Sequence, residues 1–251
     1  MHTHGELRIE PGEDTLAATR EWLRPVRKAL GPDFLSAYLT GSVLTQGFHP
    51  KRSRVNLLVV ARELPPERLD ALIDATPKSR RSPRFEPLFL TRHQIENSLD
   101  SFPIEWLEIK ERHLRIEGED IFGPLEVPRT HLRLQCEHEL RAKNIRLRQS
   151  YLANRKHPAE LEEQLRSAAS GVATLFRTLL RLRGENPPSD NAHVIERVAD
   201  VFHVDASGLL AAHLIRHSEV TRKRAEVVAL YRKFMVEFDR LVSAIDGLPV
   251  K

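Results

Sequence analysis

The sequence has few of the features that would place a protein outside the ordinary globular class. It contains one cysteine, Cys136, so it cannot form an internal disulfide or a multi-cysteine metal site. Its longest apolar runs, such as residues 57–61, span five residues, whereas a membrane helix needs about 20. The first residues lack the basic-then-apolar layout of a secretory signal. We therefore expect a cytoplasmic protein with no membrane partner.

What the sequence does contain is a balanced, slightly basic composition. Of 251 residues, 41% are hydrophobic and 29% are charged, which is typical of globular domains, and the length allows one large or two modest domains. Lys plus Arg is 39 against 35 for Asp plus Glu, giving a net charge of +4. Arg outnumbers Lys, and guanidinium groups suit phosphate recognition. Genomic base composition also explains the excess of Arg over Lys, and we favour this explanation.

The chain changes character near its middle. Residues 1–126 alternate helical and strand-like patterns, whereas residues 127–251 are helical almost throughout. Gly123-Pro124 and Val127-Pro128 punctuate the change. We therefore predict an α+β protein with two domains: an α/β domain with a mixed sheet over 1–126, and an all-α helical bundle over 127–251.

In the first half, apolar runs predict strands at 34–40, 55–61 and 85–90. Thr91 and Gln94 have the spacing of a capping box and predict a helix start.

The helices of this half are less sharply defined by the sequence. Asp14 is the expected cap of the first helix, which Pro25 should kink or split. Pro65 and Pro66 open a short helix whose inward residues should be Leu69, Leu72 and Ile73. Residues 104–109 fit a strand or a helix almost equally well.

In the second half, helical spacing of apolar residues predicts five helices. The first carries Leu132, Cys136 and Leu140, and the second runs continuously from about residue 161 to Gly184. Shorter helices fit 190–202 and 207–217, and the last keeps helical periodicity over 227–245.

The segment richest in chemistry follows the first predicted strand. Gly41 allows the backbone to approach a ligand closely, and the Ser42 hydroxyl and the following amides are donors for oxyanions. A basic turn containing Arg52 and Ser53 then leads into a buried strand. Two such strands side by side would frame one phosphate site.

This segment resembles the nucleotidyltransferase superfamily, in particular its aminoglycoside adenylyltransferase-like branch. The family pattern is a strand, Gly-Ser, a short helix, and Ser-Asp-x-Asp before a buried aliphatic strand. Gly41 and Ser42 match the Gly-Ser pair, Pro50 a loop proline and Ser53 the serine. Glu86 falls where the family places a third carboxylate. The resemblance also implies a helical bundle after the catalytic domain.

The sequence departs from the family pattern at the metal-binding carboxylates. Arg54 and Asn56 occupy the two Asp positions, and Gln46 replaces a second Gly. In the family these carboxylates hold Mg²⁺, which stabilises charge in phosphoryl transfer. Arg54 cannot be a ligand because it accepts no hydrogen bond and repels cations. Asn56 and Glu86 alone make a poor Mg²⁺ site, so we expect no bound metal or other cofactor.

We therefore predict a catalytically degenerate protein that binds a nucleoside triphosphate or other phosphate ligand in an interdomain cleft. Gly41, Ser42, Arg52, Ser53, Arg54 and Asn56 are the candidate nucleotide-binding residues, and Glu86 is the surviving acid at the catalytic position. Two alternatives stay open. One is an active, Mg²⁺-dependent nucleotidyltransferase acting on a hydroxyl acceptor, with Glu105 or Glu108 adding an oxygen. The other is a non-enzymatic partner or scaffold module.

Other motifs give little support for further sites. No His-Glu-x-x-His or zinc-ligand spacing occurs, so no metal residue is assigned. Arg141, Arg148 and Arg155 recur every seventh residue and would share one helix face. This basic face could extend an anion-binding cleft or contact nucleic acid. We favour the third interpretation, that it is a solvated outer face. The sequence does not define an oligomeric state.

Overall fold

The computed structural model describes residues 10–45, 48, 53–77, 84–169, 171–215 and 222–245. The chain divides into two compact units, Met1–Val127 and Pro128–Lys251. In the described parts, no helix is both long and apolar enough to span a bilayer.

The first unit is a four-stranded mixed sheet with helices on both faces. Its elements are, in chain order, α1 (Glu13–Leu30), β1 (Phe34–Thr40), β2 (Arg54–Ala61), α2 (Pro66–Ala75), β3 (Arg84–Thr91), α3 (Arg92–Glu96), α4 (Pro103–Glu111) and β4 (His113–Gly118). The strand order is β3-β2-β1-β4. β1 is antiparallel to both β2 and β4, whereas β2 and β3 are parallel.

Each face of this sheet carries its own apolar core. On one face, Leu39 and Leu57 pack with Leu23 and Val26 of α1 and Leu72 of α2. The central strands β1 and β2 are buried on both faces, which explains their nearly continuous apolar sequences.

The other face is covered by α3, α4 and the segment that follows β4. Tyr38 and Leu58 pack there with Ile95, Trp106 and Phe122. The predicted capping box starts α3: the Thr91 side chain accepts a hydrogen bond from Gln94 N, and the Gln94 side chain accepts one from Thr91 N.

Three local predictions in this unit need correction. The N-cap of α1 is Gly12, and Asp14 lies inside the first turn, where its charge favours the helix dipole instead. α1 continues through Pro25 to Leu30 as one helix. Residues 104–109 belong to helix α4, which begins with Pro103 at a position that favours proline.

The orientation of α2 also differs from the prediction. Leu72 is buried as expected, but Leu69 and Ile73 are exposed. Arg68 donates to the carboxylate of Asp33 at 2.7 Å and to the Ala29 carbonyl at 2.9 Å. These bonds to the end of α1 fix the rotation of α2, which helical periodicity alone could not specify.

In its described residues, the second unit consists of helices and their connections and contains no strand. Its helices are α5 (Arg129–Asn154), α6 (Pro158–Ala169), α7 (Val172–Leu182), α8 (Asn191–Phe202), α9 (Ser207–Ile215) and α10 (Arg224–Ile245). The single helix predicted over 161–184 is wrong, because Gly171 has φ +74° and separates α6 from α7. Cys136, Leu140 and Phe238 are fully buried.

Candidate functional site

The Gly-Ser pair forms a tight turn at the end of β1. Gly41 has φ +73° and opens a 3₁₀ turn, Gly41–Leu44. A Cβ at this position would lie 2.9 Å from Nδ2 of Asn56 on the neighbouring strand. Two features therefore favour glycine at position 41: the left-handed backbone and the close approach of the Asn56 side chain.

Ser42 lies in the exposed part of this turn. Its carbonyl accepts hydrogen bonds from the Thr45 backbone N–H at 3.0 Å and from the Thr45 hydroxyl at 2.9 Å. Thr45 thus closes the turn and holds it against the sheet. The turn presents Gly41 and Ser42 to solvent at the end of the central strand, as a ligand-binding turn requires.

A row of polar side chains crosses the sheet beside this turn. Thr40 of β1 is the register partner of Asn56 on β2 and of His113 on β4. Asn56 is in turn the register partner of Glu86 on β3. Directly opposed residues project to the same face of a sheet. The four strands therefore place His113, Thr40, Asn56 and Glu86 side by side, in that order.

Arg54 joins this row through an ion pair with Glu86. Nη1 of Arg54 lies 3.0 Å from Oε1 of Glu86, and the two side chains are 66% and 55% exposed. Arg54 precedes Asn56 by two residues on β2, so both project to the same face. The cation at the replaced acidic position thus contacts the carboxylate that the family resemblance assigns to metal binding.

His113 is the member of the row that the sequence did not reveal. Its ring packs edge-on against Tyr38 at 5.2 Å and lies 5.3 Å from the ring of Phe122. Nδ1 lies 2.8 Å from the Ile109 carbonyl, which requires Nδ1 to donate and leaves Nε2 as the acceptor of the neutral ring. Only the position of β4 beside β1 brings this histidine to the site.

Ser53, Glu105 and Glu108, the other described candidates, are not register partners in this row. Ser53 immediately precedes β2 and is partly exposed, whereas Arg52 lies outside the described residues. Glu105 and Glu108 are on α4, and Glu108 pairs with Arg112 at 3.5 Å. The register of the sheet therefore unites Glu86, Asn56 and Arg54, but it does not include the carboxylates of α4.

The residues in the row do not suit a Mg²⁺ ion. Mg²⁺ prefers carboxylate oxygens, but the one carboxylate of the row faces a guanidinium at 3.0 Å. Within the described part of the chain, no group of three or more His, Cys, Asp or Glu side chains is arranged to hold a metal. We therefore derive no chemistry from a metal at this site.

The predicted basic face of α5 is partly neutralised within the second unit. Arg141 pairs with Glu137 at 3.0 Å and Arg148 with Asp239 at 2.6 Å. Both arginines are exposed. These pairs agree with the interpretation of a solvated outer face.

Comparison of the whole chain with solved structures gives the fold family. A spectinomycin adenyltransferase, AAD(9) from Enterococcus faecialis, solved with ATP and spectinomycin, matches with a TM-score of 0.54 and 16% sequence identity. The match covers 90% of this chain and 98% of that one. The chain therefore has a nucleotidyltransferase-like fold. This agrees with the resemblance seen in the Gly41-Ser42 segment.

A second match is weaker. A nucleotidyltransferase-like protein from Exiguobacterium sibiricum 255-15 is 15% identical over 91% of this chain and 74% of that one, with a TM-score of 0.39. No family model and no curated protein sequence matches the chain. At 16% identity the match to AAD(9) shows the fold alone, and the ligands of AAD(9) are properties of that protein.

Proposed function

We propose that this chain is a catalytically degenerate nucleotidyltransferase-like protein that binds a nucleotide or another phosphate ligand without Mg²⁺. The observation that carries the proposal is the ion pair between Arg54 and Glu86. In this pair a permanent cation neutralises the acid that would otherwise recruit a metal. A phosphate would then be held by the protein's own cation and by the Gly41-Ser42 turn.

The geometry of Arg54 allows it to contact the Glu86 carboxylate and a phosphate at the same time. A guanidinium carries five N–H donors, and the contact to Glu86 uses Nη1. The other donors can meet a phosphate in the bidentate geometry that arginine favours. Because the pair is more than half exposed, it contributes at most about 1 kcal/mol to stability. Rearranging it around a ligand therefore costs little.

Isothermal titration calorimetry with ATP and GTP tests this proposal. We expect binding in EDTA, with an affinity that added Mg²⁺ does not improve. Arg54→Ala should weaken binding at least about tenfold, the loss of about 1.4 kcal/mol from one charge-assisted contact. Arg62, an exposed arginine just beyond the other end of β2, is the matched control, and Arg62→Ala should change nothing. No binding at millimolar nucleotide would refute the proposal.

The alternative of an active enzyme rests on a separate observation, the direct register pairing of Asn56 and Glu86. The Glu86 carboxylate and the neutral amide oxygen of Asn56 form the minimal metal site that this interpretation needs. It predicts transfer of a labelled nucleoside monophosphate to an aminoglycoside or another hydroxyl acceptor in Mg²⁺ or Mn²⁺. Such transfer, if lost in Glu86→Gln, would replace the degenerate assignment.

A further inference from the structure

The contacts of His113 fix the orientation of its ring at one end of the polar row. Nδ1 donates to the Ile109 carbonyl at 2.8 Å, and the ring packs against Tyr38 and Phe122. The residue is partly exposed, and no hydrogen-bond partner for Nε2 is found among the described residues. The ring is therefore held in place without the use of Nε2.

Two neighbouring polar groups of the row also lack partners within the described ranges. Thr40 is 8% exposed, yet its hydroxyl makes no hydrogen bond to any described residue. The same holds for the side-chain amide of Asn56, the register partner of Thr40 on β2. Proteins rarely leave a nearly buried hydroxyl without a partner. The row therefore offers Nε2 of His113, the Thr40 hydroxyl and the Asn56 amide to a ligand.

The row is longer than a single phosphate group. Neighbouring strands lie about 4.8 Å apart, so the backbones of His113 on β4 and Asn56 on β2, which flank β1, are separated by about 9.5 Å. Arg54 extends the row toward β3, where it contacts Glu86 at 3.0 Å. A polyphosphate chain can follow such a row, with Arg54 near one end and His113 near the other.

Several charged or titratable groups surround the His113 ring. On the elements packed against it they are Tyr38 of β1, Arg115 of β4, Glu108 and Arg112 of α4, and Asp120 in the segment after β4. Glu108 and Arg112 pair with each other at 3.5 Å. The Tyr38 hydroxyl donates to the Glu119 carbonyl at 2.6 Å and accepts from Ile121 N at 2.8 Å. Tyrosine and arginine keep their charge states near neutral pH, whereas histidine changes its charge between about pH 5 and 8.

Asp120 is an acid that interacts with the ring electrostatically. Its carboxylate accepts a hydrogen bond from Gly123 N at 3.0 Å. This bond is the main reason that the pKa of Asp120 lies below 3.8, and the charges of Arg115 and His113 lower it further. The carboxylate is therefore ionised throughout the range in which histidine titrates, and its charge does not change there.

We propose that His113 binds the polyphosphate of the ligand as an imidazolium, so that binding takes up a proton at Nε2 and becomes tighter as the pH falls. This inference rests on the proposed function and adds a second cation to Arg54. In the protonated ring, Nε2 donates a charge-assisted hydrogen bond to a phosphate oxygen. In the neutral ring, the lone pair of Nε2 repels the same oxygen. The proton comes from solvent, and no covalent bond of the ligand changes.

Calorimetry of ATP binding in EDTA, repeated in buffers of different ionisation enthalpy, measures both the affinity and the protons taken up. His113→Asn removes the titrating ring but keeps an amide that can donate to the Ile109 carbonyl. We expect this variant to bind ATP at least about tenfold more weakly than the native chain at about pH 6, and less than about twofold more weakly at about pH 8. It should also lose roughly half a proton of uptake near neutral pH. ATP itself titrates in this range, but equally for both chains.

The controls separate this inference from the proposed function. His138→Gln, at an exposed histidine of α5, should keep the native affinities and proton uptake. Inorganic tripolyphosphate should depend on His113 as ATP does, and dependence with ATP alone would overturn the assignment to phosphate. ATP binding with equal proton uptake by the native chain and His113→Asn would refute this inference alone. No binding at any pH would refute it together with the proposed function.

A measurement on the native chain covers the case in which His113→Asn does not fold. Nitrogen-15 NMR of the histidine rings distinguishes neutral from protonated rings, and the His113 ring is identified by its contacts with Tyr38 and Phe122. At neutral pH and saturating ATP, we expect both ring nitrogens of His113 to carry protons. A neutral His113 ring in the complex would overturn the proposal.

Discussion

The polar groups of the two units are held in opposite ways. At the sheet end of the first unit, Arg54 and Glu86 are exposed and contact each other across two strands. In the second unit, Glu237 is 2% exposed and accepts hydrogen bonds from the backbone N–H groups of Gly208 and Leu209, both at 3.0 Å. Exposed, mutually paired charges can be exchanged for a ligand, whereas buried polar groups bound to backbone hold the fold together.

Arg177 of α7 repeats the pattern of Glu237. It is 6% exposed and donates to the Ser189 carbonyl at 2.9 Å and to the Asn191 side chain at 2.6 Å. These bonds attach the connection before α8 to the bundle. Burial, and not the presence of charge, thus separates the structural polar groups of this protein from those that solvent can reach. Substitutions at both kinds of group test this distinction.

The largest effect should come from Glu237. Glu237→Ala leaves two buried N–H groups at the start of α9 without an acceptor, and we expect a loss of about 3 kcal/mol in the free energy of unfolding. Glu86→Ala, the matched exposed carboxylate, should cost less than about 1 kcal/mol. Urea denaturation measures both. Equal losses would erase the distinction between the two units.

The pH dependence of Glu237 has a definite sign. Burial raises the pKa of its carboxyl above the ordinary value of 4.5, so the fold favours the protonated form. Its contribution to stability is therefore greatest below pH 4.5 and is reduced as pH rises through the folded-state pKa. Glu237→Gln should flatten that part of the stability–pH curve, and an unchanged curve would contradict this explanation.

The next largest effect is expected on metal binding, when acids are introduced at positions 54 and 56. Arg54→Asp with Asn56→Asp places two acids beside Glu86 in the register of β2 and β3. We expect Mn²⁺ to bind this variant at least about 30-fold more tightly than the native chain, a gain of about 2 kcal/mol. Titration of Mn²⁺ by electron paramagnetic resonance measures it. Adding Glu86→Gln should remove the gain, and if it does not, the ion binds elsewhere.

A smaller effect separates backbone strain from close approach at Gly41. Gly41→Ala introduces a Cβ at φ +73° and 2.9 Å from Asn56, whereas Gly184→Ala introduces one at φ +78° with nothing within 4 Å. We expect about 1 kcal/mol of strain in both and about 1 kcal/mol more for Gly41. Thermal or urea unfolding compares them. Identical losses would show that Asn56 simply moves away.

The smallest effect is a helix cap in the second unit. Asp190 accepts hydrogen bonds from Ala192 N and His193 N at the start of α8, and the His193 bond is the main reason that its pKa lies below 3.8. Asp190→Ala should cost about 1 kcal/mol at neutral pH. A lowered pKa gives stability above pH 3.8 that is lost as pH falls through the folded value. Acid titration of both proteins should therefore show their stabilities converge, and a constant difference would argue against a charged cap.

Much of the fold follows from local sequence signals. The strands over 34–40 and 85–90 and the Thr91–Gln94 capping box are confirmed because each depends on residues only a few positions apart. β4 was missed, since His113-Leu114-Arg115-Ile116 is a short half-buried edge strand whose pairing with β1 depends on residues far away in sequence. The break at Gly171 was missed because helical periodicity continues on both sides of it.

The candidate site shows the same limit. The residue types at positions 41, 42, 54, 56 and 86 could be read directly, and with them the departure of Arg54 and Asn56 from the pattern of the family that the segment resembles. The sequence predicts that Arg54 binds a phosphate, but it does not predict the contact between Arg54 and Glu86. That contact requires the parallel register of β2 and β3, which are separated by α2.

Local sequence signals alone predict the strands over 34–40 and 85–90 and the side chains at the end of β1 and the start of β2, because capping, periodicity and residue identity are local properties. The folded chain alone places Arg54 against Glu86, brings His113 into the row, and leaves Leu69 and Ile73 of α2 exposed. These depend on strand register and on which helix face meets the core, and both are set by contacts between residues that are distant in sequence.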